Sequence, residues 1–593
     1  MNCGGFSFSY SMCYRILVNS YIIHTNIKAF SSVTRQPYEN VEMYRCVNDI
    51  TLKQNYVKVL RSDCFIFAMM KRNTILKILL GIVALLLFIK FLMTVFVDPH
   101  VRKKIETTLN EKNRDFKITI GKSHILMISS GIKLSGIKIR PKKDNSGILY
   151  LCGEIASVKL KGIKLAKAIF NKDINIRKIT ISESSFMGKI PFPTEAITPV
   201  VVPLNIRIGI ILFDKINLSV DNTANAASYS IKDGVLKLYE VQVGKQDTLS
   251  SDIVKQFDFE AKELVSVSSD SMYLYKANGL SYFAASNTLA VTNISIQPNY
   301  TDYDFTSRYE FQTSRIEAGF SDIYFYDFYA SDYFRSGSLK SSWIEIGKMD
   351  MNVFRDMRKQ FPHGNKPAFL EMVYNYPGII QIDSIGLLNG NVIYTEHAEE
   401  ANEPGSINFN EISVKMYKIT NDTIYKTEND SSELRGDALL MGKGKMTILL
   451  KGRIFDSQNT FSLNGTLSAM DANELNPILE KNAFIYATSG KIDSMNFSFT
   501  ANNARATGKM ILLYHGLDIA VKNKQTDDTT AFRERFISLI VNRKVSDSNP
   551  IANDDVREGI IDYERDPEKF LLDYYVKSIL SGIRSSLDKS PKK

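Results

Sequence analysis

Six times the chain repeats one pattern, apolar-x-apolar-x-x-apolar-x-apolar, with only polar residues or glycine in between. The instances are Ile132/Leu134/Ile137/Ile139, Val158/Leu160/Ile163/Leu165, Ile174/Ile176/Ile179/Ile181, Ile344/Ile346/Met349/Met351, Ile380/Ile382/Ile385/Leu387 and Ile407/Phe409/Ile412/Val414. Successive side chains of a strand point to opposite faces, so each half of the pattern is apolar on one face only. The extra residue in the middle shifts the alternation by one step, which would turn the second half to the wrong face. A β-bulge restores the face, bends the strand and raises its twist. Asn-Gly and Asp-Gly pairs are missing from the midpoints, which disfavours tight turns there. The pattern predicts curved strands sharing one apolar surface.

Plain alternation extends this reading. Phe116, Ile118 and Ile120 alternate with polar residues, and Leu204, Ile206, Ile208, Ile210 and Leu212 form the longest run. Ile412, Val414 and Met416 alternate, as do Met446, Ile448 and Leu450, and Phe461, Leu463, Gly465 and Leu467. Helical spacing is confined to a few places. Val101, Ile105 and Leu109 predict a short helix from Val101 to Asn113. Asp471-x-x-Glu474 predicts a capping box opening NELNPILEKN. Phe532 to Arg543 and Phe570 to Leu587 each carry an apolar stripe at helical spacing.

One run, Ile75 to Val97, is apolar and long enough to cross a bilayer, with Lys77 and Lys90 near its edges. No small-residue cleavage site follows it, so it is expected to stay as a signal-anchor. Basic residues flank both ends, so charge alone does not fix its orientation. Residues 1–68 lack sustained periodicity and end at Met69-Met70-Lys71-Arg72, the form of a membrane protein's own start. They are expected to be a non-native extension or a short cytosolic tail. Beyond the run, Val101 to Thr180 holds nineteen Lys and Arg against six Asp and Glu. This basic block, with Lys117, Lys122, Lys133, Lys138, Lys142 and Lys143, is a candidate for contact with anionic headgroups. The competing reading is a solvated strand face on which lysines discourage edge pairing.

Motifs for chemistry are missing. Four of the five cysteines precede the apolar run and none forms a CxxC, so neither a zinc site nor a disulfide framework is supported. The six histidines show no HExxH or other metal-ligand spacing; His397, near Glu396, Glu399 and Glu400, reads as part of a solvated loop. Gly442 and Gly444 lack a P-loop frame, and no G-x-S-x-G elbow occurs. The expectation is a non-enzymatic protein with no cofactor and no nucleic-acid partner.

The order of elements resembles the AsmA-like family. In the first half the similar segments are FKITIGKSHI, GIKLSGIKIRP and GEIASVKLKGIKLAKAIFNKDINIRKITISES, following a single span and a helix. In the second half they are NGNVIYTE, GSINFNEISVKM, GKGKMTILL, LNGTLSAMDANELNPILEK, SGKIDSMNFSF and ARATGKMILLYHGLDIAV, similar to the AsmA-like regions of larger TamB-like proteins. The stretch from about residue 220 to 340, rich in Tyr, Phe and Ser, matches no such pattern. The resemblance implies an inner-membrane anchor with the body in the periplasm of a Gram-negative bacterium, and an apolar β-groove for phospholipid acyl chains. It also implies a role in outer-membrane lipid homeostasis, with an outer-membrane or bridging protein as a further partner. A structural or assembly factor for outer-membrane proteins is the alternative.

The expected fold is mainly β with a few helices: an N-terminal transmembrane helix, then an elongated, curved, mostly antiparallel sheet with an apolar groove, then C-terminal helices. Its parts are 1–69, the span 70–98, an AsmA-like N-terminal β region 99–215, a middle β region 216–375, an AsmA-like C-terminal β region 376–530, and C-terminal helices and tail 531–593. The groove candidates are Ile132, Leu134, Ile137, Ile139, Val158, Leu160, Leu204, Ile206, Ile208, Ile210, Ile380, Ile382, Ile385, Leu387, Ile412 and Val414.

Overall fold

A computed structural model describes residues 72–112, 116–127, 129–142, 150–163, 173–190, 205–223, 225–243, 256–367, 369–426, 431–521, 545–550 and 555–589. The expected extension 1–69, the helix at 532–543, Leu165, Leu204 and Lys143 lie outside them. The chain divides into two compact units at Phe91/Leu92. In the first, helix α1 (Arg72–Leu92) carries most of the apolar run, and Leu80, Leu85, Leu86, Leu87, Phe88 and Phe91 stand exposed. Among the described residues the helical stretch Ile82–Glu111 is the one long and apolar enough to cross a membrane.

The second unit begins with a π-helical turn, Met93–Val97, and helix α2 (Asp98–Lys112). A curved, mixed sheet of twenty-two strands follows. Its first half holds β1 (Phe116–Leu126), β2 (Gly131–Pro141), β3 (Tyr150–Lys161), β4 (Asp173–Ile190), β5 (Asn205–Asn222) and β6 (Ser228–Val243). Then come β7 (Gln256–Ala261), β8 (Glu263–Val267), β9 (Tyr273–Ala277), β10 (Leu280–Phe283), β11 (Thr288–Pro298), β12 (Ser314–Tyr326) and β13 (Leu339–Asp356). The last are β14 (Ile380–His397), β15 (Gly405–Thr420), β16 (Ser432–Leu440), β17 (Gly444–Gly452), β18 (Phe461–Leu467), β19 (Met470–Asp471), β20 (Ile485–Ala501), β21 (Arg505–Val521) and β22 (Glu558–Glu564). Shorter helices are α3 (Asp302–Ser307), α4 (Ala330–Ser336) and α5 (Phe369–Tyr374); α6 (Leu571–Leu587) closes the chain.

Sheet order follows chain order. β7 with β8, β9 with β10, and β18 with β19 each share one rung, leaving nineteen rungs in sequence. All pairings are antiparallel except β4–β5 and β13–β14. Apart from the ends that meet inside a shared rung, the strand ends therefore fall on one of two rims. The first rim carries Leu126, Lys161, Leu339, Ile380, Thr420, Gly452, Arg505 and Glu564; the second carries Phe116, Pro298, Asp356, His397 and Glu558.

The phase shifts are not, for the most part, bulges. Across β1–β2, β2–β3, β3–β4, β4–β5, β12–β13, β13–β14 and β14–β15 the register is unbroken; it shifts at β5–β6, β15–β16 and β20–β21. Neighbouring strands instead skip a pairing at the same level. Gly121 and Gly136 are left out of β1–β2, Ala156 and Glu183 out of β3–β4, and Glu183 and Lys215 out of β4–β5. Gly136, Glu183 and Lys215 have φ of 65°, 52° and 57°, in the left-handed region. A bulge on one strand would put that strand out of phase with its partner. A crease shared by neighbours lets all of them change phase together, so apolar rows stay aligned. Ile407/Phe409/Ile412/Val414 is the instance where a register shift, between Asn410 and Ser413, does lie at the midpoint.

The Asp471 capping box is absent: Asp471 makes no side-chain cap, and Ala472–Leu475 is a 3-10 turn. Pro477, which has no N–H to donate, stands one residue after Asn476 opens the next turn, and Leu479–Ala483 is π-helical.

Candidate functional site

Directly paired residues share a face of the sheet, so a face can be followed from rung to rung. One row begins at Leu134 and passes through Val158, Ile181, Phe213 and Leu236 to Phe259. It continues through Tyr282, Leu289, Phe325, Ile344, Ile385 and Met416. It ends through Leu434, Leu450, Leu463, Phe499, Gly508 and Ile561 in β22. No charged side chain interrupts it. Gly508 is required because a Cβ there would come within 2.2 Å of the Ser498 carbonyl oxygen. The row crosses the Tyr- and Phe-rich middle without a break. Ser123, opposite Leu134 in β1, is the row's polar terminus; its hydroxyl donates to the Asp98 carbonyl.

Most groove candidates lie on this face. Ile132, Leu134, Ile137, Ile139 and Val158 pack together beneath Ile105 of α2. Leu160 pairs with Ile132. Ile206 and Ile208 gather around Val241. Ile380, Ile382 and Ile385 share a cluster with Ile344, and Leu387 pairs with Ile346 and Val414. Ile412 approaches Gly390 beside Leu387 and Met349. Ile210 is the correction. β4 and β5 skip a pairing at Arg177 and Gly209, so Ile210 pairs with Lys178 on the opposite face, and Ile211 takes its place beside Ile208. The long alternating run hides this crease because Ile210, Ile211 and Leu212 are all apolar.

Lys117, Lys133 and Lys138 pair with Arg140, with His124 and Lys159, and with Thr119 and Glu154; Lys122 pairs with Ser135. All four lie on the polar face. Glu154 partly neutralises it, 2.9 Å from Arg140 and 3.7 Å from Lys138. Lys142 instead donates to the Asn110 carbonyl at 3.0 Å. His397 is not in a solvated loop. It ends β14, is 4% exposed, and sits 2.8 Å from both the Tyr303 hydroxyl and the Ala401 carbonyl. Among the described residues no group of three or more His, Cys, Asp or Glu is placed to hold a metal ion.

Helices cover the apolar face unevenly. α2 lies over β1 and β2, Phe328 and α4 over β10–β13, and Val373 of α5 over β13–β15. α6 packs Tyr574, Tyr575, Ile579, Ile583 and Leu587 onto the largest core. Among the described residues the cluster around Val241 contains strand residues only. Between β14–β18 and α6 the face encloses a cavity of about 500 Å³. Ile385, Met416, Leu434, Leu450, Phe461, Leu571, Leu572 and Tyr575 form its apolar wall. Ser432, Glu433, Asn459, Asn502, Asn503 and Arg565 line its first-rim end, with the Glu433 carboxylate paired to Arg435 and Lys451. Arg565 donates to Asn503 Oδ1 at 2.8 Å and to the Lys366 carbonyl at 3.0 Å, while its buried Nε has no partner. Burial pushes the Tyr574 hydroxyl up to about 12 and raises that of Tyr575 too, so both stay neutral.

Sequence reasoning missed both edges of the sheet. α2 carries Asp98, Arg102, Glu106 and Asn110 at four-residue spacing, along one helical face. Asn110 donates to the Ile118 carbonyl at 2.7 Å and accepts its N–H at 2.8 Å. Glu106 accepts the Ile120 N–H at 3.2 Å, Arg102 donates to the Gly121 carbonyl at 2.8 Å, and Asp98 accepts the Ile125 N–H at 3.0 Å. A helix thus stands where a further strand would pair. At the other edge, Ser585 and Ser581 of α6 accept the Ile560 and Asp562 N–H groups at 3.0 and 3.1 Å.

No protein-family model matches the chain, and no curated protein matches it.

Proposed function

We propose that this is a membrane-anchored β-groove protein whose apolar face binds, or conducts, phospholipid acyl chains. The observation that carries this reading is the unbroken apolar row together with the cavity beneath α6. A sheet face of this extent needs acyl chains, a partner or helices over it, and among the described residues helices cover only parts of it. The cavity volume falls within the range of small-ligand sites. Each methylene withdrawn from water there would contribute roughly 0.8 kcal/mol. Arg565 gives its first-rim end a cation suited to a phosphate or carboxylate headgroup. The periplasmic location in a Gram-negative envelope, the AsmA-like kinship and the role in outer-membrane lipid homeostasis belong to the same proposal and rest on the sequence resemblance. Non-enzymatic action is part of it. The alternative, a docking platform that adds strands to its edges, is weakened because α2 and α6 already occupy both edges.

The test is extraction of the purified full chain and analysis of what it carries. Phospholipid bound near one acyl chain or more per protein is expected, and Leu434→Trp together with Leu450→Trp, which fill the cavity, should lower that amount. A folded wild-type chain that carries no lipid and acquires none from vesicles would falsify the reading.

A further inference from the structure

The two rims of the sheet differ in a way that neither the groove nor the cavity requires. At the first rim, Met127 follows β1, Phe334 lies on α4, Met372 on α5, Ile424 follows β15, and Phe570 and Leu572 open α6. Ile424 is 82% exposed, Phe334 71% and Leu572 70%. Among the described loops and helices of the second rim, Leu109, Tyr303, Phe311 and Val556 are 41–43% exposed; more exposed apolar side chains near that rim stand on strands, as Met187 of β4 does at 61%. Three first-rim positions also join an aromatic residue to a cation in sequence: Phe334-Arg335, Tyr425-Lys426 and Lys569-Phe570. Aromatic rings flanked by Lys or Arg suit the boundary between headgroups and acyl chains. Isolated exposed apolar residues are ordinary, but a series confined to one rim and carried by loops and helix ends is not.

The same rim receives the chain from the anchor. Asp98, the first residue of α2, bonds Ile125 near the first-rim end of β1. The apolar run Ile75 to Val97 ends at the residue before it, in the π-helical turn Met93–Val97.

We propose that the first rim is an interfacial membrane surface, whose exposed apolar side chains dip into the leaflet from which α1 emerges. This rests on the reading of α1 as a membrane span. It goes beyond the groove proposal, because the rim would bring the polar end of the cavity to that leaflet, where lipid is taken up. Interfacial side chains of this kind reach about 5–10 Å into the headgroup and acyl boundary.

The test uses the full chain in phosphatidylcholine vesicles containing dibrominated phosphatidylcholine, which quenches nearby tryptophan. Ile424→Trp, Met372→Trp and Phe334→Trp, none of them at a residue lining the cavity, are placed one at a time in a Trp343→Phe background, with Phe311→Trp as the second-rim control. First-rim tryptophans should lose most of their emission, while the control keeps its own. Equal emission at both rims overturns the proposal and leaves the groove proposal standing, since that is read from carried lipid. A chain released from the vesicles by alkali removes the anchor and this proposal together. If Trp343→Phe does not fold, Trp343 is retained and the added emission of each variant is compared.

Discussion

Ile382 and Leu450 share the apolar face three rungs apart, yet their surroundings differ. Ile382 is 5% exposed and enclosed by Ile344, Val373, Ile419 and Ile454. Leu450 faces the cavity. The sequence suggests that Ile382→Asp leaves the fold intact, as a groove wall admits water; the packing around Ile382 reverses that expectation. Ile382→Asp should destabilise by about 3 kcal/mol or more, because the carboxylate has no partner and no water. Leu450→Asp should keep its β circular dichroism and melt near wild type while carrying less lipid. Equal loss of melting temperature in both variants would mean that the cavity is closed core. A titratable residue offers a second test. Burial raises the Asp573 carboxyl above its ordinary range, and Asp566 and Glu396 push the same way against Lys577 and Lys569. A raised carboxyl stabilises the fold most below its unfolded pKa, and that contribution is lost as pH rises through the folded value. Asp573→Asn should therefore raise the melting temperature at neutral pH, with the gain shrinking towards pH 4. A gain that does not change with pH would place the effect elsewhere.

At the level of elements, the edge helices are the devices that keep a nineteen-rung sheet from adding further strands. Asn110→Ala removes both bonds to Ile118, and Glu106→Ala removes the one to Ile120. Each lost bond should cost about 1 kcal/mol, and the Ile118 and Ile120 amides should exchange with solvent faster than those of β2. Unchanged protection would show that packing of Ile105, not side-chain bonding, holds α2 in place. In the sequence this edge shows only as Asp98, Arg102, Glu106 and Asn110 repeating every four residues, which beside an apolar stripe reads equally well as a solvated helix face. The strands and their shared face were legible because period-two patterning depends only on which side water lies. The crease at Gly209 was not, because three consecutive apolar residues leave the phase undefined. The cavity and Arg565 were not legible either: β16, β17 and α6 meet there from positions more than a hundred residues apart, and no local pattern records the meeting.

For the whole molecule, the open question is whether the apolar face acts as one path or as separate stretches. At the usual spacing between rungs the sheet measures roughly 85 Å along its hydrogen bonds. Lipid leaving either end would therefore need a partner protein to continue. The weak point for blocking is the stretch around β5–β7, where the Val241 cluster, among the described residues, is built from strand residues alone. Leu236, half-buried, is the fifth of the eighteen residues of the row and pairs with Phe213 on one side and Phe259 on the other. Leu236→Asp should fold, since its side chain is only half-buried. It also sets a charge where every acyl chain moving along the row would have to pass, and hydrocarbon does not solvate a carboxylate. With photo-crosslinkers at Val158 and at Leu450, wild-type protein should label lipid at both positions. If the face is one path loaded from the cavity end, Leu236→Asp should abolish labelling at Val158 and leave Leu450 unchanged. Labelling that persists at both positions would mean that each stretch fills independently, and that the protein holds lipid without conducting it along its length.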